Sequence, residues 1–263
     1  MQFPVYLSAG PLRIHPHLAF EVTAYVVGFA VYLVLRRSYG DPARDQVRWW
    51  VIAAAFVGAS LGSRLLASLE NPQLLLNAST ATAALLGGKT IIGGLIGGLI
   101  AVEWIKRRMG ETQRTGDLFA VPLAVGIAIG RVGCFLTGLD DGTYGSATSL
   151  PWGVDFGDGV RRHPTQLYEV LFCLGLAVFL WRLMRRPHVQ GDAFKVFMVG
   201  YMGWRFAVDF VKPGISLAGI TTLQWACVAM LVYYARDMVR WLTPHRTAHF
   251  DAAQVGQIES RHE

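Results

Sequence analysis

Arg131 stands at the end of an apolar run, within GRVGCFLTGLDDGTYG at residues 130–145. Three other cations, Arg64, Lys89 and Arg205, also lie inside or at the edge of runs that otherwise read as membrane. A central arginine costs about 2.5–3.5 kcal/mol to insert. Even with a discount for snorkelling, four such cations cost on the order of several kcal/mol, comparable with the stability of a whole protein. Two acids stand at the matching level: Glu169 at the head of the fifth run, and Asp209 one turn beyond Arg205 on the same helix face. Two carboxylates against four cations leave an excess of positive charge, which suggests an anionic ligand. The obvious anion at this depth is a phospholipid phosphate, whose oxygens match the parallel donors of a guanidinium fork. In the plainer alternative, Glu169 and Asp209 pair with two of the cations, the others reach interfacial water, and the cluster locks helix packing.

The elements that must position these groups follow from composition. The chain has 263 residues, 53% hydrophobic and only 16% charged, with a mean hydropathy of +0.37. A soluble α/β protein is therefore the lesser alternative to an all-α membrane protein. Apolar runs near residues 19–35, 49–69, 88–105, 117–138, 165–184, 193–212 and 220–241 predict about seven transmembrane helices. The first run lacks the basic flank and small-residue cleavage site of a signal peptide and reads as a retained span. Cations cluster in alternate connections and at the C-terminal end (Arg36, Arg37, Arg44 and Arg48; Lys106, Arg107, Arg108 and Arg114; Arg182, Arg185, Arg186 and Lys195; Arg236, Arg240, Arg246 and Arg261). This bias puts the N-terminus in the periplasm and the C-terminus in the cytoplasm. The same clustering makes the net charge of +6 a sign of membrane orientation rather than of a nucleic-acid partner. Residues 1–243 read as one membrane domain with an outer loop near 139–164, and residues 244–263 as a polar cytoplasmic tail.

In this arrangement Arg64, Lys89, Arg131 and Arg205 come to one depth from four helices, and His163, Gln166, Tyr168 and Glu169 enter the fifth span at that level. Gly93, Gly94, Gly97 and Gly98 form two overlapping small-xxx-small faces, which read first as helix packing. Cys134, Cys173 and Cys227 have no paired spacing and make neither a zinc motif nor a disulfide framework. Asp140, Asp141, Asp155 and Asp158 could bind a divalent ion in the outer loop, but a solvated acidic loop accounts for them. No metal and no cofactor are expected.

Together GGKTIIGGLIGG, GRVGCF and RHPTQLYE resemble the prolipoprotein diacylglyceryl transferase family. YMGWRFAVDFVKP resembles its late arginine segment and GASLGSRLLASLE its early one, in matching order over roughly residues 10–240. The resemblance implies a seven-span, multi-pass enzyme of the bacterial inner membrane among membrane lipids. It would move the diacylglyceryl group of phosphatidylglycerol onto the lipobox cysteine thiol of a prolipoprotein signal peptide and release glycerol phosphate. Arg131 and Arg205 match the family's essential arginines; Arg64, Gln166, Tyr168 and Glu169 match other motif positions, and Asp209 stands where an acid is usual. Joined to the depth argument, the resemblance assigns Arg131, Arg205 and His163 to catalysis. It assigns Arg64, Lys89, Gly93, Gly94, Gln166, Tyr168, Glu169 and Asp209 to substrate binding.

The departures concern the acceptor side. Ile92 stands where the family usually has a histidine, Cys134 and Thr137 replace two asparagines, and the acid is displaced to Asp140 or Asp141. A thiol with pKa about 8.5 is a few per cent ionised at pH 7, so full ionisation gains at most ~2 kcal/mol, about thirtyfold in rate. The missing histidine is survivable, and His163 is the remaining local candidate base, against a plainer role as an interfacial residue. Cys134, one turn from Arg131, reads first as a small packed residue and alternatively as a site of covalent lipid attachment. A paralogue with another acceptor, or a non-catalytic lipid-binding or transport protein, are the competing functional readings.

Overall fold

Thr90 marks where a loop becomes a helix. Its Oγ1 accepts the Gly93 amide hydrogen at 3.2 Å, satisfying one of the amides that a helix leaves bare at its start. Thr221 does the same for Gln224, whose side chain returns the bond to the Thr221 amide. Pro16 opens the first helix, where its missing amide hydrogen is tolerated. The computed structural model describes residues 3–9, 12–70, 87–213, 216–217 and 219–243. Its helices are α1 (Pro16–Tyr39), α2 (Asp45–Glu70), α3 (Ile91–Arg108), α4 (Asp117–Thr137), α5 (Thr165–Met184), α6 (Asp192–Val208), α7 (Thr222–Tyr233) and α8 (Ala235–Leu242). Short antiparallel hairpins pair β1 (Leu7–Ala9) with β2 (Leu12–Ile14), β3 (Val154–Asp155) with β4 (Arg161–Arg162), and β5 (Ser216–Leu217) with β6 (Ile220–Thr221).

Four segments, Pro16–Tyr39, Asp45–Glu70, Asp117–Asp141 and Thr165–Met184, are long and apolar enough to cross a membrane. The chain is a helical membrane protein. The other expected runs take different forms. The run near 88–105 becomes the 18-residue α3, whose last turn carries Lys106, Arg107 and Arg108. The run near 193–212 is the 17-residue α6. The run near 220–241 is two helices, of 12 and 8 residues, that meet at Tyr234. The polar tail at 244–263 lies outside the described residues.

Glycine decides how closely the helices approach. Gly58 and Gly62 of α2 lie against Gly97 and Gly93 of α3: a Cβ on Gly62 would overlap the Gly93 carbonyl oxygen, and one on Gly97 would lie 2.9 Å from Gly62 Cα. Gly133 of α4 does the same for α1, where a Cβ would lie 2.7 Å from Phe20 Cβ and 3.4 Å from His17 Cα. The core between α4, α5, α6 and α7 is filled by small and apolar side chains such as Ala124, Leu180, Phe197, Met198 and Cys227.

The two ends of the bundle carry separate polar networks. At one end, Arg48 is 1% exposed, pairs with Asp41, donates to the Thr115 carbonyl at 3.2 Å and lies over the Phe119 ring. Arg36 also donates to Asp41, at 2.9 Å. Burial pushes the Asp41 carboxyl up, but the hydrogen bonds from Arg48 and the Ala43 amide, with the Arg36 charge, hold it below the usual carboxylate range. Arg36 and Arg48 thus serve as fixed ion-pair partners in addition to marking charge bias. The other end holds the arginines of the candidate site.

Candidate active site

Spacing puts the key side chains on inward faces. On α5, Gln166, Glu169, Cys173, Ala177, Leu180 and Met184 are buried at steps of three and four residues. On α6, Tyr201 and Arg205 share a face, and Asp209 follows one turn later. Arg131 arrives from the last turns of α4. The three elements bring two guanidinium groups onto one carboxylate oxygen: Arg131 Nε lies 2.9 Å and Arg205 Nη1 3.0 Å from Glu169 Oε2. Tyr201 donates its hydroxyl proton to Glu169 Oε1 at 2.6 Å. Arg205 Nη2 lies 3.7 Å from Asp209 Oδ1, and Asp209 Oδ2 accepts from the Thr221 hydroxyl. Glu169, Arg131, Arg205 and Asp209 are all buried.

The cluster keeps polar capacity in reserve. A guanidinium has five N–H donors. The Arg205 Nε is buried without a hydrogen-bond partner among the described residues. The Arg131 Nε sits at ion-pair distance from Glu169 but is misaligned for a hydrogen bond. Both side-chain amide atoms of Gln166, one turn before Glu169, are buried without partners among the described residues. Each buried unsatisfied group costs about 1–3 kcal/mol, which marks this end of the bundle as a place where a polar ligand would relieve the protein.

The remaining expected residues distribute unevenly. Asp209 joins the arginine cluster. Lys89 is exposed and pairs with Glu21 of α1 at 3.4 Å. Arg64, on α2, is exposed. Among the described residues, the buried charges of the cluster therefore balance: Arg131 and Arg205 stand against Glu169 and Asp209, Lys212 and Glu70 beside them add one charge of each sign, and no excess of cations is seen. This pairing is the arrangement of the plainer alternative, so the unpartnered donors, rather than net charge, carry the case for an anion. Gly93 and Gly94 face α2 and serve its close approach. His163 lies between β4 and α5, its Nδ1 3.2 Å from the Tyr168 hydroxyl, which accepts from Trp152 Nε1 at 2.7 Å. His163 and Tyr168 thus form a pair of their own around the start of α5.

Sequence reasoning missed Tyr201, Thr221 and above all His17. His17 Nδ1 lies 3.1 Å from Asp141 Oδ1 and 4.0 Å from Cys134 Sγ, which Arg131 Nη1 approaches at 3.8 Å. The depth rule could have found it, because α1 begins at the level where α4 ends.

The model of the prolipoprotein diacylglyceryl transferase family matches residues 4–239. A phosphatidylglycerol–prolipoprotein diacylglyceryl transferase of Solidesulfovibrio magneticus is 34% identical over 267 residues, covering 95% of this chain and 97% of its own. Proteins of the same name from Bordetella bronchiseptica and Pseudomonas aeruginosa are 32% and 30% identical, each covering 87% of this chain and respectively 91% and 87% of their own. The chain belongs to the prolipoprotein diacylglyceryl transferase family.

Proposed function

We propose that this protein transfers the diacylglyceryl group of phosphatidylglycerol to the thiol of a prolipoprotein lipobox cysteine and releases glycerol phosphate. The observation that carries this reading is the meeting of Arg131 and Arg205 on Glu169, with buried donors left unpartnered, in a chain of this family. In the reaction a C–S bond forms at a glycerol carbon while the C–O bond to phosphate breaks, its electron pair staying on the phosphate. Charge therefore grows on the leaving group in the transition state. Guanidinium donors already held in place stabilise that charge without reorganising.

Glu169 and Asp209 keep the two cations together before lipid arrives, and Tyr201 holds Glu169. Gln166 offers an amide to the headgroup glycerol, and Tyr168 and His163 border the entry on the loop side. The plane of this cluster lies at the periplasmic leaflet, with about seven spans in the bacterial inner membrane, a periplasmic N-terminus and a cytoplasmic C-terminus. Residues 1–243 form the membrane domain, 139–164 its periplasmic loop and 244–263 a cytoplasmic tail.

Purified protein in detergent, given phosphatidylglycerol and a lipobox peptide, will release glycerol phosphate and add one diacylglyceryl group to the peptide by mass spectrometry. A peptide with serine in place of cysteine will give neither. Lack of release with every thiol peptide tried removes this substrate assignment.

A further inference from the structure

His17, Cys134 and Asp141 come from the start of α1, the end of α4 and the 3-10 turn Gly138–Asp141. Their ligand atoms all lie within 4.8 Å of one another. We propose that His17 Nδ1, Cys134 Sγ and Asp141 Oδ1 form a three-ligand zinc site whose fourth position is open to a substrate thiol.

The geometry is near what the ion needs. Zinc bonds of about 2.3 Å to sulfur and about 2.0–2.2 Å to nitrogen and oxygen, at tetrahedral angles, separate sulfur from nitrogen by roughly 3.5 Å and nitrogen from oxygen by roughly 3.4 Å. The observed separations are 4.0 Å and 3.1 Å. One thiolate, one carboxylate and one imidazole neutralise a dication and form the mixed S, O and N set that suits zinc.

The surroundings support the ligands. Glu21 Oε2 lies 3.8 Å from His17 Nε2, so with Nδ1 on the metal the ring proton faces a carboxylate. The Thr143 hydroxyl donates to the other Asp141 oxygen, Oδ2. Gly133 lets α1 come close enough to bring His17 to Cys134. Gly142, with φ of 67°, closes the turn that carries Asp141. Cys134 and the Asp141 side chain are buried, whereas the His17 side chain is 40% exposed. The site therefore opens on one side, as a zinc centre with a vacant coordination position must.

The site also borders the phosphate clamp, with Arg131 Nη1 3.8 Å from Cys134 Sγ. A thiol that coordinates zinc loses its proton outright, here to water. Resting on the function proposed above, the incoming thiol is the lipobox cysteine. Its sulfur pair forms the C–S bond at the glycerol carbon, and the C–O pair leaves on glycerol phosphate at the arginines. Zinc keeps its oxidation state, and the thioether product is the weaker ligand. Such a site supplies the thiolate that Ile92 cannot.

The test uses the full chain in detergent, stripped with chelator and titrated with Co2+, whose spectrum reports zinc sites. Wild type will bind one equivalent, with visible bands of tetrahedral cobalt and a thiolate-to-cobalt charge-transfer band that stoichiometric Zn2+ abolishes. Cys134→Ser, which keeps the size of the side chain, will lose the charge-transfer band. His17→Ala and Asp141→Asn will each weaken binding by more than the ~10–100-fold typical of losing an outer-shell partner. No cobalt band in folded wild type, or an unchanged band in Cys134→Ser, overturns the site. A lipobox peptide thiol will strengthen the charge-transfer band and its serine counterpart will not; no response to the thiol overturns the open position. Protein that binds cobalt as described but, reloaded with zinc, transfers no diacylglyceryl group counts against the proposed function and leaves the metal site standing.

Discussion

Arg205 Nη1 donates to Glu169 Oε2 at 3.0 Å, on the oxygen that Arg131 Nε approaches at 2.9 Å. A single buried carboxylate thus holds two like charges side by side. Without it, two guanidinium groups would share a buried space and repel.

Removing that carboxylate's charge should be costly. Glu169→Gln keeps the shape but leaves both arginines without their shared anion, and breaking a buried pair this way costs about 3–5 kcal/mol. Tyr201→Phe removes one hydrogen bond to a charged group, about 1.5–3 kcal/mol. Thermal unfolding in detergent should rank the variants in that order, and both should melt below wild type.

The α2–α3 contact predicts a second stability series. Gly62→Ala and Gly97→Ala each place a Cβ against the partner backbone and should destabilise by about 1–3 kcal/mol through overpacking. Gly175 of α5 has nothing within 4 Å of an added Cβ. Gly175→Ala should be neutral or stabilising, by at most about 1 kcal/mol, because alanine is the better helix former. Melting temperatures of the three variants test the contrast.

Asp41 predicts a pH dependence at the opposite end of the bundle. Its carboxyl is held below the usual range in the folded protein by Arg48, Ala43 and Arg36, against the upward push of burial. Its contribution to stability is therefore complete above the unfolded carboxylate pKa, about 3.9, and is lost as pH falls from there through the lower folded value. Asp41→Asn should melt below wild type at pH 6, and the gap should narrow on acidification below about pH 4. Unfolding curves across that range measure it.

Level along the helix bundle is what the sequence made legible. The apolar runs place Arg131, Arg205, Glu169 and Asp209 near the ends of separate segments, and the structure brings those four side chains together. Level does not fix the direction a side chain faces around its helix. Arg64 is exposed on α2, and Lys89 meets Glu21 of α1. His17 is passed over because it precedes the apolar run at 19–35, whereas the helix begins at Pro16. The split of the last apolar run at Tyr234 and the burial of Arg48 on Asp41 depend on tertiary partners, which hydropathy cannot register.

The central claim is that Arg131 and Arg205 stabilise the departing phosphate. The most direct test is the initial rate of glycerol phosphate release by Arg131→Ala, Arg205→Ala and the matching lysine variants, each confirmed as folded. Each alanine variant should lose about 100- to 1,000-fold, and lysine should recover only part, since an ammonium lacks the planar fork. Wild-type rates in both alanine variants would contradict the claim and leave the arginines as a structural lock.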